Sequence, residues 1–477
     1  MHKSKASRNL CPNTPAPWAI REFSGAAFPD RRLLKRAQLI MTQFAKQPTA
    51  SIPQACGRWA DIKAAYRFFD NDSIDPETLL EPHRQATVAR MQDHDVVLAV
   101  QDTSSLNYST HPRTQGLGPI SNNKDKTIGL FLHTTLALSV AAEPLGVLGA
   151  AVHVRDSLSF GKGRDSQRRN KTALQDKESQ RWLQSLNLCQ DLASLCPSTT
   201  LVNVADREGD IYELLAQALD CQRSRPVHLL VRSQHNRKVE DSCGLLWNQL
   251  SQQPLAGTMQ IKVPRQPGQS ARSTTLEIRF GEMTLCAPSL KEGQPSLKVW
   301  AIEAREQPPH KAQPMILWRL LTTLPVQTAA QAIEKVVWYT RRWQIEVMHK
   351  VLKSGCKVEQ RQLESVARLK RVLMMDLIVA WRVMLLGQAA REHPEQSAAQ
   401  WLLDSEWKVL WAYMNPNQPP TPEAPRLRQA VRWIGQLGGF IGRKSDGEPG
   451  PIVLWRGLQR LSDLARTWEM LKNVGNA

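Results

Sequence analysis

The 477-residue chain has few acidic residues, no closely spaced cysteine pairs and no long uninterrupted apolar run. Its 44 Asp and Glu are outnumbered by 62 Lys and Arg, and the resulting formal charge of +18 favours a polyanionic partner such as nucleic acid. The eight cysteines are scattered without a Cys-x-x-Cys pair, which argues against a zinc site or a disulfide framework. Reduced thiols in a cytosol fit this pattern better.

The longest apolar segment, residues 372–387, is interrupted by Asp376 and Arg382 and is too short for a bilayer core. We therefore predict a buried helix there and no membrane association. The first 17 residues carry basic side chains but lack the apolar segment of a signal peptide, which favours a cytoplasmic location. At ~150 residues per domain, the length predicts two to four folded domains.

The first ninety residues have the apolar periodicity of helices. Residues 31–46 and 59–69 each place an apolar stripe on one face, and Pro76 fits the first turn of a third helix. The opposite face of the first of these helices is basic, with Arg31, Arg32, Lys35 and Arg36. In so basic a chain this face predicts contact with nucleic acid, and a solvated surface is the alternative.

Beyond residue 95 the pattern changes to short apolar runs between turn residues, which predict strands. Strands are expected at 96–100, 130–140, 147–154, 200–205 and 227–232, and helices at 175–195 and 211–219. This order predicts an α/β fold with a mixed sheet. Four further strand-like segments between 258 and 323 predict a strand-rich insertion.

The remainder of the chain is predicted to be helical. One long helix is expected from residue 328 to about 353, and the proline-rich segment 415–425 predicts an extended linker. The last helix, from about residue 452, has an apolar seam suited to pairing with another helix. The seam consists of Leu454, Leu458, Leu461, Ala465 and Trp468.

Two aspartates close apolar strands a hundred residues apart, Asp102 after 96–101 and Asp206 after 201–205. Enzymes built on a sheet place polar groups at strand ends, because the strand fixes the position while the side chain leaves the core. Taken alone, each aspartate also fits a helix cap or a turn.

The predicted long helix carries a third group of polar residues on one face. At ~100° per residue, that face contains Tyr339, Arg342, Glu346 and Lys353. A solvated face with weak ion pairs is the alternative interpretation. If the three acids met in one fold they would repel each other, and divalent cations would remove that repulsion. A site made only of Asp and Glu suits Mg²⁺ or Mn²⁺, with a phosphate oxygen completing the shell.

The set Asp102, Asp206 and Glu346 resembles that of the DDE transposases of bacterial insertion sequences. The helix carries the spacing Tyr-x2-Arg-x3-Glu-x6-Lys that marks one group of them, which has a β-strand insertion. Further matching segments, in the family's order, are Arg67-Phe68-Phe69, Asp102-Thr103-Ser104-Ser105-Leu106, Asp206-Arg207-Glu208-Gly209-Asp210-Ile211, Val231-Arg232-Ser233 and Leu437-Gly438-Gly439-Phe440. The resemblance covers nearly the whole chain.

The resemblance implies an RNase H-like core with the acids on its first strand, its fourth strand and a following helix. It implies that the acids are catalytic and bind Mg²⁺, or Mn²⁺ in its place, with two ions per active site. Trp318 would stack a base flipped out of the transposon end, although a Trp among Leu residues alone fits a core position. Tyr339, Arg342 and Lys353 would then bind the adjoining DNA phosphate.

The implied activity is cut-and-paste transposition by a homodimer that pairs two double-stranded DNA ends, cleaves them through hairpins and joins the 3′ ends to target DNA. The expected domains are residues 1–90 for end binding, 91–365 for catalysis with the insertion at about 240–325, and 366–477 for dimerisation. The segment Gly161-Lys162-Gly163 lacks P-loop spacing, so no nucleotide cofactor is expected. Two alternatives are a metal-dependent nuclease or resolvase and a non-catalytic regulator that binds DNA ends. The expected location is the bacterial cytoplasm, associated with the nucleoid.

Overall fold

The computed structural model describes residues 14–121, 127–156, 179–220, 225–240, 244–263, 271–289, 293–307, 315–419, 421–443 and 446–474. The N-terminal region is helical, as predicted, and the helices at 31–46 and 59–69 have the predicted bounds. Its helices are α1 Pro17–Glu22, α2 Arg31–Lys46, α3 Ile52–Cys56, α4 Trp59–Phe69 and α5 Pro76–Met91. Helix α2 begins where the Asp30 carboxylate accepts a hydrogen bond from the Arg32 N–H, and Asp75 caps α5 in the same way.

The described strands form one mixed sheet. They are β1 Val96–Asn107, β2 Gly118–Pro119, β3 Ile128–Ser139, β4 Pro144–His153, β5 Thr200–Ala205, β6 His228–Arg232, β7 Gly257–Val263, β8 Arg272–Leu285, β9 Leu297–Glu306 and β10 Leu317–Thr322. Three antiparallel strands, β4-β3-β1, are followed by the parallel strands β5 and β6. This is the strand arrangement of an RNase H-like core. Helices α6 Gln180–Ala193, α7 Tyr212–Ala218 and α8 Leu246–Ser251 connect its later strands. The predicted residues 175–178 of α6 and the segment 161–163 lie outside the described part of the chain.

Strand β1 is longer than predicted. The apolar run ends at Val100, but antiparallel pairing with β3 continues as far as Asn107, opposite Gly129. Asp102 therefore lies within a strand and not at its end. The parallel pairing of β1 with β5 does stop early, at Val100 opposite Val204.

The inserted strands continue the core sheet. Strand β10 pairs antiparallel with β6, and the order then runs β10-β9-β8-β7. Each of the four predicted strand segments is confirmed. The insertion thus extends the core sheet from β6, the strand next to β5.

The single helix predicted from 328 to 353 is wrong in detail, because it consists of three consecutive segments. These are α9 Ala329–Arg341, α10 Trp343–Lys350 and a π-helical turn, Val351–Gly355. At the first junction the Arg342 N–H bonds to the Tyr339 carbonyl, one residue closer than in an α-helix, which tightens the turn. The Arg342 to Glu346 spacing still spans one turn.

The C-terminal region consists of helices α11 Val366–Glu392, α12 Asp404–Met414, α13 Leu427–Leu437 and α14 Pro451–Val474. Helix α11 is long and apolar enough to cross a membrane, but 83% of its most apolar window is buried inside the protein. The predicted buried helix at 372–387 is therefore confirmed. Its charged residue Asp376 is paired with Arg361, at 2.6 Å between Oδ1 and Nη2.

The apolar seam of the last helix faces the chain's own core. Leu454, Leu461 and Ala465 are buried among the residues of α11 and α13, so the seam is not available as a whole for pairing with a second subunit. The exposed apolar side chains of α14 are instead Met470 and Leu471, near its end.

Candidate active site

Asp102 and Asp206 lie side by side at one edge of the sheet. The parallel pairing of β1 with β5 ends with Val100 opposite Val204, so Asp102 and Asp206 each lie two residues beyond the last pair. Neighbouring strands are ~4.8 Å apart and residues two apart share a face, so both carboxylates lie on the same side of the sheet. Backbone hydrogen bonds orient both: Asp102 Oδ1 accepts from the Thr103 N–H at 2.8 Å, and Asp206 Oδ1 from the Glu208 N–H at 2.9 Å.

Glu346 is brought to this pair by α10, which packs on β1. The Arg342 guanidinium lies between two of the acids, with Nη2 at 2.6 Å from Glu346 Oε1 and Nη1 at 4.0 Å from Asp102 Oδ2. The three acids, predicted on two strands and a helix, thus lie close enough for their charges to interact.

The pKa of the Asp102 carboxyl is shifted by its surroundings. Burial raises the pKa of Asp102 to about 6, and the negative charges of Asp206 and Glu346 add to the rise. The Thr103 N–H and the Arg342 charge oppose it. Burial and the neighbouring carboxylates thus outweigh the Arg342 charge at Asp102.

The chemistry of the site fits a hard divalent cation. Its acidic side chains offer carboxylate oxygens, and a cation would relieve the repulsion that adds to the effect of burial on the pKa of Asp102. Within the described ranges, no three His, Cys, Asp or Glu side chains already form a metal-binding cluster. Arg342 provides the positive charge between Asp102 and Glu346.

His349 also belongs to the site, although no sequence prediction placed it there. Its Nδ1 lies 4.0 Å from Asp102 Oδ2, and its Nε2 lies 3.4 Å from Thr134 Oγ1. Burial and the charge of Lys353 lower the pKa of His349 to about 4, so the ring is neutral at neutral pH. The sequence feature that could have identified His349 is its position, one helical turn after Glu346.

Trp318, Tyr339 and Arg342 lie in a row that leads to the acids. The partly buried Trp318 ring meets the Tyr339 ring edge-on, with centroids 5.9 Å apart and planes at 63°. The Arg342 guanidinium carbon lies 5.9 Å from the Tyr339 centroid. Lys353, on the π-helical turn, completes the predicted group, and its charge acts on His349. Trp318 also packs against the core.

The predicted basic face of α2 is retained at three of its four positions. Arg31, Arg32 and Lys35 are exposed. Arg36 instead turns towards α4, where its Nη1 lies 3.2 Å from Asp61 Oδ1.

Comparison with known proteins agrees with this arrangement. Residues 15–74 match the family described as transposase DNA-binding, 166–382 the transposase DDE domain, and 378–470 the transposase Tn5 dimerisation domain. The chain is also similar to a piggyBac transposase in a cryo-EM structure of its synaptic complex with hairpin DNA. The identity is 12%, with 82% of this chain and 74% of that chain covered, and the TM-score of 0.33 is too low to support an argument.

An RNase H-like core joined to DNA-binding and dimerisation domains defines a DDE-type enzyme that acts on DNA. The chain belongs to the DDE transposases, and its dimerisation-domain match shows that it is Tn5-like, in agreement with its resemblance to the group with the Tyr-x2-Arg-x3-Glu-x6-Lys spacing. Membership implies DNA as a partner, a homodimer and dependence on a divalent metal ion. The matched DDE segment contains Asp206 and Glu346 but begins after Asp102, whose pKa is raised by burial and by the charges of those two acids.

Proposed function

We propose that the chain is a cut-and-paste transposase whose active site consists of Asp102, Asp206 and Glu346. The observation that supports this proposal best is the parallel pairing of β1 with β5, which ends two residues before Asp102 and two residues before Asp206, beside the helix that bears Glu346. The three carboxylates would hold two Mg²⁺ ions, or Mn²⁺ in their place. When bound, such ions stabilise the attacking and leaving oxygens of an in-line displacement at phosphorus.

The protein's own groups would position the DNA around these ions. The N–H of Thr103 and the N–H of Glu208 each fix one oxygen of an aspartate and leave the other free to act as a ligand. Arg342 would exchange its bond to Glu346 for a DNA phosphate, since guanidinium groups bind both kinds of oxyanion well. Water would be the first nucleophile, and DNA 3′-hydroxyls would act in the later steps.

Trp318 would stack a base extracted from the transposon end. Extraction allows the sharp bend that a hairpin requires, and the edge-on contact with Tyr339 holds the Trp318 ring in position. Tyr339, Arg342 and Lys353 would bind the phosphate next to that base. The proximity of the Trp318 and Tyr339 rings to Arg342 supports this assignment.

The domain limits that we propose are residues 1–90 for end recognition, 91–365 for catalysis with an insertion at about 240–325, and 366–477 for dimerisation. The homodimer would hold two transposon ends and then a target DNA. No nucleotide cofactor enters this scheme, and the chain would act in the bacterial cytoplasm at the nucleoid.

The test is incubation of the full chain with end-labelled DNA carrying the inverted repeats that flank its gene, plus Mg²⁺ and a target plasmid. We expect nicked, hairpin and strand-transfer products in sequence, and none of them with Asp102→Ala, Asp206→Ala or Glu346→Ala. End binding should survive in all three variants. Glu334→Ala, which removes an exposed glutamate from α9, is the matched control and should cleave normally.

Two outcomes would contradict the proposal. Cleavage without hairpins or strand transfer would indicate a nuclease or resolvase, and binding without cleavage by the unmodified chain would indicate a regulator. Near-normal cleavage by any of the three alanine variants would remove that residue from the active site.

A further inference from the structure

A chain of hydrogen bonds runs from the half-buried Thr103 through buried side chains and crosses the sheet on the face opposite the acids. Thr103 Oγ1 lies 2.8 Å from His133 Nδ1, and His133 Nε2 lies 3.0 Å from Gln101 Oε1. Gln101 Nε2 donates to Asn203 Oδ1, and Asn203 Nδ2 lies 3.6 Å from Cys189 Sγ. We call these contacts the cross-sheet chain. It connects β3 to β1, β1 to β5, and β5 to helix α6.

The direction of each bond in the cross-sheet chain is determined by its chemistry. Because the Gln101 amide nitrogen donates to Asn203, its oxygen is the acceptor for His133, and His133 Nε2 must carry the hydrogen. His133 Nδ1 then accepts from the Thr103 hydroxyl. Burial, together with the charges of Arg181 and His349, lowers the pKa of His133 to about 3, so the ring stays neutral and keeps both roles.

The bond between Gln101 and Asn203 connects the first residue of β1 beyond the parallel pairing with a residue of β5 that is still paired. Parallel pairing of β1 with β5 ends at Val100 opposite Val204, two residues before each of the acids. Gln101 immediately precedes Asp102, and Asn203 lies three residues before Asp206. The side-chain bond therefore links the strands at the last point before they separate.

We propose that Gln101, Asn203 and His133 are positioning residues that fix the distance between the Asp102 and Asp206 carboxylates for a shared divalent ion. The proposal rests on the proposed function, because it requires these two acids to bind the metal. Gln101 and Asn203 are completely buried, and a lost partner would leave a buried amide unsatisfied, so the cross-sheet chain favours one arrangement of the strands. Metal sites need ligand positions within ~0.5 Å, which makes such support effective.

The test measures Mn²⁺ binding by the loss of the free-ion electron paramagnetic resonance signal. The sample is the full chain in complex with pre-cleaved end DNA. Gln101→Leu removes both bonds of the central residue at similar volume, and we expect it to weaken Mn²⁺ binding about tenfold. Nicking of uncut ends should recover to within about twofold at saturating Mn²⁺, since only ligand placement is disturbed. A purely structural defect would lower the maximal rate without changing the Mn²⁺ dependence.

Thr135→Val is the matched control. Thr135 is buried on the same face of β3, two residues from His133, and its hydroxyl bonds to Ser185 of α6 at 2.6 Å. It lies outside the cross-sheet chain, so the variant should lose a comparable buried bond and keep its Mn²⁺ affinity. An equal shift in Thr135→Val, or no shift in a folded Gln101→Leu, would overturn the proposal.

A second variant decides the question if Gln101→Leu does not fold. Thr103→Val keeps the backbone bond to Asp102 and removes only the hydroxyl that bonds to His133, so we expect Mn²⁺ binding to weaken about threefold. Unchanged binding would refute the positioning role. Asp102→Ala is the reference: if it loses Mn²⁺ binding while Gln101→Leu and Thr103→Val retain theirs, the metal site stands and the positioning role alone fails. Full Mn²⁺ binding by Asp102→Ala would overturn both.

Discussion

The guanidinium of Arg342 donates to Glu346 at 2.6 Å while it lies 4.0 Å from Asp102, so one side chain neutralises two of the acids that are proposed to bind metal. At 4 Å such a charge contributes up to ~4 kcal/mol at an effective dielectric constant of 20, before screening by water and salt. Arg342 therefore competes with a divalent ion for the carboxylates in the absence of DNA. A phosphate that attracts Arg342 would remove this competition.

From this competition we predict that Arg342→Gln binds Mn²⁺ about three- to tenfold more tightly than the unmodified chain when DNA is absent. The measurement is a Mn²⁺ titration of the free protein at pH 8. Arg342→Lys retains the charge and should stay near the unmodified affinity. Equal or weaker binding by Arg342→Gln would mean that Arg342 does not compete with the ion.

The second prediction concerns Trp318. Unstacking a base costs a few kcal/mol, and stacking on an aromatic ring returns ~1 to 3 kcal/mol. Trp318→Leu, which keeps apolar packing against Tyr339, should slow hairpin formation about tenfold or more, because ~1.4 kcal/mol suffices for that change. The first nick should change little. A time course on end-labelled DNA resolves the two products.

Trp318→Phe is the control for this prediction, because it retains an aromatic face, and it should slow hairpin formation less than Trp318→Leu. If Trp318→Leu slows both steps equally, or neither, Trp318 is only a core residue.

The third prediction concerns the exposed basic residues of α2. The combined variant Arg31→Ala, Arg32→Ala and Lys35→Ala should lose its preference for end DNA and keep salt-sensitive binding to any DNA. Deleting residues 1–70 would be a poorer test, since Ile40, Met41 and Phe44 of α2 belong to the protein core. Mobility-shift titrations against end DNA and random DNA give the ratio of the two affinities, which measures the preference.

A matched variant removes three exposed positive charges elsewhere, at Lys298, Lys408 and Arg426. It should keep the preference for end DNA. A similar loss of preference in both variants would mean that total charge, and not the face of α2, determines the preference.

The fourth prediction concerns the buried pair Arg361 and Asp376. Arg361 makes two bonds to Asp376 and a third to the Ala50 carbonyl, so it ties α11 to the N-terminal helices. Arg361→Met leaves a buried carboxylate unpaired and should lower the free energy of unfolding by ~3 to 5 kcal/mol. Urea denaturation followed by circular dichroism measures the loss.

Two comparisons test the cause of that loss. Adding Asp376→Leu to Arg361→Met should restore most of the stability, because no unpaired charge remains. Lys408→Ala, which breaks an exposed pair with Asp404, should cost ~0.5 kcal/mol or less. No recovery in the double variant would assign the loss to packing.

The fifth prediction concerns the exposed end of α14. Met470 and Leu471 are 60% and 65% exposed, whereas the seam behind them is buried in the same chain. Met470→Asp with Leu471→Asp should reduce two-end complexes and leave single-end binding intact. Undiminished two-end complexes on native gels would place the dimer contact elsewhere.

Much of the fold could be predicted because apolar periodicity survives folding wherever one face is buried. Helix α4 and strand β5 have the predicted bounds for this reason. Strand β1 was predicted too short because residues after Val100 are polar, and only their pairing with β3 keeps them extended. No local signal marks the change of helical pitch at Arg342, since the i to i+4 pattern continues through it.

The acids could be predicted from their spacing and their place in the chain, whereas the groups that support them could not. Gln101, His133 and Asn203 look in the sequence like unrelated polar residues in strands. They come together only because β3, β1 and β5 are neighbours in the sheet. Such contacts depend on register, which one sequence does not reveal.

Because β10 pairs directly with β6, the proposed cutting and base-extracting positions are joined by continuous backbone pairing. Asp206 is level with Arg232 of β6 and Leu320 of β10, and Trp318 lies two residues further along. Two strand spacings of ~4.8 Å and a rise of ~3.4 Å per residue separate the two positions by about 12 Å. The number of nucleotides between the cut and the extracted base would therefore be determined by the register of the sheet. Point substitutions at either position would then change the rates of the steps but leave that number the same.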